Sequence, residues 1–175
     1  MNKKEFLFKT FTLLAIFYVG FLIGSLLKLT RESSTFKPYV WESNYSSPII
    51  INCYEGKIDE NKVEKAITFW KSTGHRIKFY EHNPPSQSCE LEWIDGVIIL
   101  RKAPRGELDL STLAITKRKT TLTKIYAVQI LLQPGTQDFD LLLEHELGHA
   151  LGYGHYDVKG HVMHSLYEQM GPMFW

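Results

Sequence analysis

The chain has 175 residues, 44% of them hydrophobic and 22% charged, a globular composition that excludes a disordered or collagen-like protein. Lys and Arg number 20 against 19 Asp and Glu, so the net charge of +1 gives no basic footprint for a nucleic-acid partner. Two cysteines, Cys53 and Cys89, are too few for a tetrathiolate zinc site or a disulfide-dense scaffold.

In chain order, residues 1–5 read as a cytoplasmic N-terminus and residues 6–27 as a transmembrane signal anchor. Thr10 to Leu27 runs 18 residues without a charge, which is long enough to span a bilayer. Lys3, Lys4 and Lys9 precede it and place the N-terminus on the cytoplasmic side. The expected localisation is therefore a single-pass membrane protein whose remaining chain lies outside the cytoplasm. Secretion after signal cleavage is the alternative, but the run is long for a signal peptide and no A-x-A-like site follows it. Gly20 and Gly24 form a GxxxG pair, a weak signal for a homodimer. Residues 28–47 are rich in Ser, Thr and Pro and read as a linker, with a short pro-segment as the alternative.

One domain follows over residues 48–175. Ile49-Ile50-Ile51 reads as a buried strand. Asp59 to Trp70 reads as a helix, because Val63, Ala66, Ile67 and Trp70 share a face and Asp59 suits the N-cap. Arg76 to Tyr80 and Val97 to Leu100 are the next two strands. Leu113 to Thr116 and Ile125 to Leu132 are the last two, around a solvated basic tip, Lys117-Arg118-Lys119-Thr120-Thr121. After Pro134-Gly135, Asp138 to about Leu151 reads as the final helix.

That helix carries the chemistry, in His145-Glu146-Leu147-Gly148-His149-Ala150-Leu151-Gly152-Tyr153-Gly154-His155. His145 and His149 are one helical turn apart and share a face. Gly152 suits a left-handed turn that brings His155 back to the same ion. Three neutral imidazoles leave one position for water, the layout of a catalytic zinc site. Glu146, adjacent to the first ligand, is placed to serve as general base. Five fixed positions of uncommon residues seldom coincide by chance.

The HExxHxxGxxH spacing, with Met163 eight residues after His155, resembles the metzincin metallopeptidases, and the short offset is similar to their matrixin branch. The resemblance extends upstream through Ala66-Ile67-Thr68-Phe69-Trp70, Ile77-Lys78-Phe79 and Leu113-Ala114. It implies an α+β zincin fold with a five-stranded mixed sheet and two long helices. It further implies a buried floor at Met163, which is not a ligand, and a substrate edge strand at Leu113, Ala114 and Ile115. Three features depart from that pattern. Tyr156 follows the third histidine, Ser165 stands where astacins have a tyrosine, and no cysteine-switch motif precedes the domain. The short stretch after Met163 implies a minimal C-terminal subdomain.

The expected activity is a zinc-dependent endopeptidase, a hydrolase holding one catalytic Zn2+ and acting on a protein or peptide substrate. The alternatives are a membrane-anchored zinc-binding module without proteolysis, and a zinc hydrolase of non-protein amides. Calcium dependence is left open. Cys53 and Cys89 stand either as a disulfide or as two free thiols.

Overall fold

Hydrophobic runs with little alternation suit strands covered on both faces, and three of them form the middle of one six-stranded sheet in the computed structural model, which describes Tyr18, residues 37–54 and residues 58–174. The strands are β1 (Val40–Trp41), β2 (Ile49–Asn52), β3 (Tyr80–Glu81), β4 (Val97–Lys102), β5 (Ala114–Thr121) and β6 (Lys124–Leu132). Their order is β1-β6-β4-β2-β3, with β5 also paired to β6. Every pairing is parallel except β5 with β6. Three helices complete an α+β fold: α1 (Glu60–Ser72), α2 (Ser86–Glu90) and α3 (Leu142–Ala150).

Helix α1 forms for the reasons its sequence states. The Asp59 carboxylate caps it by accepting from the Asn61 amide at 3.0 Å. Val63, Ala66, Ile67 and Trp70 form its buried stripe. Trp70 joins α1 to α3, donating its indole N–H to the Glu144 carbonyl at 2.7 Å. A disulfide joins Cys53, just after β2, to Cys89 in α2, with their Cα atoms 5.4 Å apart.

Several expectations are corrected. The sheet has six strands, not five, and α3 is a short helix of 9 residues, not a long one. Leu141 adopts a left-handed φ of 61°, so the helix starts beyond it rather than at Asp138. The linker reading fails for residues 37–47. Val40 and Glu42 donate to the carbonyls of Thr123 and Ile125, and the Trp41 indole reaches the Ala150 carbonyl at 3.0 Å. Between Arg76 and Tyr80 only Tyr80 lies in a strand. The basic tip is strand as well: β5 continues to Thr121, and the turn falls at Leu122-Thr123. Its charges fit an edge strand, since Lys117 pairs with Glu107 and Lys119 with Asp95.

The expected single-pass membrane placement is also corrected: it finds no support among the described residues. No helix among the described residues is long and apolar enough to cross a membrane. The longest, α1, has 13 residues and one charged face. The expectations for residues 1–5, 6–27 and 28–36, including the Gly20 and Gly24 pair, lie outside the described residues, apart from Tyr18.

Candidate metal centre

Helix α3 is buried along nearly its whole length, including His145 at 7% exposure and Glu146 at 4%. Beyond it the chain turns at Gly152, whose φ is +104°. A side chain there meets two obstacles. The backbone is left-handed, and a Cβ would sit 2.1 Å from the Tyr39 carbonyl oxygen. The turn brings His155 back over α3, with its Nε2 at 3.2 Å from the Nε2 of His149. One ligand atom from each of His145, His149 and His155 lies within 4.8 Å of the others. A tetrahedral set with metal–nitrogen bonds near 2.1 Å has nitrogens about 3.4 Å apart, so small side-chain rotations close the cluster.

The protonation pattern fits a metal. The His145 Nδ1 lies 2.8 Å from the Val162 carbonyl oxygen, and the His149 Nδ1 lies 2.9 Å from that of Tyr153. A carbonyl only accepts, so each Nδ1 carries the proton and each Nε2 keeps its lone pair for an ion. Burial reinforces this by disfavouring the charged imidazolium. It lowers His145 to about 4 and His149 to about 3, and it lowers His155 as well. These three histidines can therefore hold a metal ion.

The loop from His155 to Ser165 is braced from within. Tyr156 donates its amide to the Met163 carbonyl at 2.8 Å. Asp157 accepts from the Ser165 amide at 3.0 Å and from its hydroxyl at 2.6 Å. Met163 is fully buried against α3. A Cβ at Gly148 would lie 2.2 Å from its sulfur, so the missing side chain is what admits the thioether. Met163 thus lies under the helix between the first two ligands, and its neighbour Val162 holds His145. The apolar tail packs behind this loop, where Phe174 meets Trp70 with ring centroids 4.9 Å apart.

Glu146 faces β5. Its Oε2 accepts from the Thr116 hydroxyl at 2.5 Å. Desolvation pushes its carboxyl up to about 7, opposed by the Thr116 hydrogen bond and the Arg118 charge. Leu113, Ala114 and Ile115 line the same cleft of about 730 Å³ as His145, Glu146 and His149. The structure thus brings together the three ligand candidates, the general-base candidate, the methionine and the edge strand. The cysteines lie apart, outside this cleft.

Thr116 and Arg118, the latter expected in a solvated tip, also line the cleft, as does His164 beside the methionine. The signal for the first two was present, since Ala114, Thr116 and Arg118 share one face of a strand by its two-residue period. His164 is buried at 5% exposure, and its Nδ1 accepts from the Leu166 amide at 3.0 Å. His161 braces the loop by accepting from the Met163 amide at 3.0 Å. His75 sits away from the trio, against the Tyr153 hydroxyl at 2.9 Å. No protein-family model matches the chain, and no curated protein matches its sequence.

Proposed function

We propose that this protein is a zinc-dependent endopeptidase of the metzincin kind, nearest in pattern to the matrixin branch. The observation that carries the reading is the pairing of two fixed imidazole tautomers, both turned to offer Nε2, with a buried glutamate on the same helix. His145, His149 and His155 are the residues that would hold the ion. When bound, it supplies Lewis acidity, which polarises a carbonyl and acidifies a water.

The remaining work belongs to the chain. Thr116 ties down Oε2 of Glu146. The carboxylate takes a proton from the attacking water and returns it to the departing amine, so one C–N bond breaks and one C–O bond forms. Held there, the carboxylate is in reach of a water on the ion and can pass its proton on to the amine. Among the described residues β5 pairs with β6 alone. Its other edge therefore offers backbone groups along which an extended peptide can lie as a further strand.

The test uses the full chain and an unfolded protein such as casein. Cleavage should stop when a chelator strips the metal and return on adding one equivalent of zinc. Intact casein in the presence of fully zinc-loaded protein would refute the reading.

A further inference from the structure

Three successive cations punctuate β5, and they do different things. Lys117 pairs with Glu107 and Lys119 with Asp95, on the face turned away from α3. Arg118 points the other way, toward α3, and has no carboxylate partner within ion-pair distance among the described residues. It is partly buried and lines the cleft beside His149 and Glu146. Its guanidinium carbon lies 4.6 Å from the centre of the Tyr39 ring, which fixes its plane. Among the described residues it spends a single hydrogen bond, from Nη1 to the His149 carbonyl at 2.8 Å. A guanidinium has five N–H donors, so a planar, pre-oriented edge remains for a ligand. Among the described residues that line this cleft, Arg118 is also the one Lys or Arg.

We propose that Arg118 is a specificity-determining residue that binds a carboxylate side chain of the substrate, so that the preferred substrates carry Glu or Asp two or three residues before the cleaved bond. This rests on the peptidase reading above. A fork of N–H donors matches a carboxylate in two bonds, which an amide cannot match in charge. The position along the substrate follows from the strand. Glu146 is held opposite Thr116, and Arg118 lies two residues further along β5, about 7 Å away. An added strand pairs more stably when antiparallel. The substrate then runs with its N-terminal half toward Arg118. The acidic side chain falls two or three residues to the N-terminal side of the cleaved bond.

The experiment measures binding, so it does not depend on turnover. The full chain carrying Glu146→Gln is loaded with zinc and titrated with fluorescent eight-residue peptides of otherwise neutral side chains. One series carries Glu at each position in turn, and its twin carries Gln. The expected result is roughly tenfold tighter binding of Glu than Gln, at the second or third position before the central bond. Adding Arg118→Gln should bring that ratio to about one, and Arg118→Lys should retain part of it. Equal binding of the Glu and Gln peptides, a preference confined to the C-terminal half, or a ratio unchanged by Arg118→Gln would overturn the proposal. The first two outcomes need no Arg118 variant, so they stand even if that variant misfolds. An Arg118-dependent ratio together with intact casein under the zinc-loaded wild-type chain would keep the anion site and refute the peptidase reading.

Discussion

Helices α1 and α3 pack against each other through Trp70 and Glu144, yet they are built on opposite principles. Helix α1 follows the local rules: a capped start, an apolar stripe of four buried residues and a charged outer face. Helix α3 follows few of them. It has no side-chain cap, begins after a left-handed leucine, and buries Glu144, His145 and Glu146 among its apolar residues. Burying such groups costs stability unless they are paired, and here desolvation raises Glu146 while it lowers both histidines. The scaffold helix is optimised for folding, and the site helix keeps His145 and His149 neutral, the form in which they could hold a metal ion.

Substitutions should separate the two helices sharply. The largest effect is expected from Glu146→Gln, which should lower kcat by about 10²–10⁴-fold. The same change should stabilise the metal-free protein at neutral pH, by about 1–3 kcal/mol. The sign follows from the direction of the shift. Folding raises this carboxyl from 4.5 to about 7. Its burial is therefore harmless below about pH 4.5, where both states are protonated. Stability is lost as pH rises toward 7, because the unfolded chain ionises first. Urea midpoints in chelator at pH 4 and pH 7.5 check this: the variant should gain only at the higher pH.

Gly148→Ala comes next. The new Cβ would press on the Met163 sulfur and on Trp70, at 2.2 and 2.6 Å, so something must shift. A loss of about 1–3 kcal/mol is expected, with weaker zinc binding. The corresponding change on the outer face of α1, Glu64→Ala, should stay within about 0.5 kcal/mol. Thermal melts and zinc titrations of the pair measure the contrast. Asp59→Ala removes the α1 cap and should cost about 1 kcal/mol without altering zinc affinity.

The smallest effect lies at the aromatic cluster beyond α1. Desolvation, then the nearby Lys37 charge, lowers His75 to about 4. Its contribution is present above pH 6.5 and is lost as pH falls toward 4, where the unfolded chain takes up the proton first. Partial exposure screens the effect. His75→Asn should flatten the stability profile over that interval, as followed by denaturant titration.

The parts of this molecule that could be read from sequence are those whose cause is local. The four-residue spacing of His145 and His149 needs only one helical turn. The positive φ of Gly152 and the cap at Asp59 are likewise decided within a few residues. What escaped was decided by distant partners. Lys117 to Thr121 has the composition of a solvated tip, and a charged edge strand looks the same until β6 pairs with it. Val40–Trp41 becomes a strand only because β6 and the Ala150 carbonyl lie beside it. Arg118 reads as part of that solvated tip for the same reason: its neighbours Tyr39 and His149 are far away in the chain.

The most direct test of the central claim measures zinc content and peptide hydrolysis on the same two samples, the full chain and its Glu146→Gln counterpart. The account predicts one zinc per chain in both, with new amino termini released from casein by the first and not by the second. Equal hydrolysis at matched zinc content, or an empty site in the unaltered chain, would contradict it.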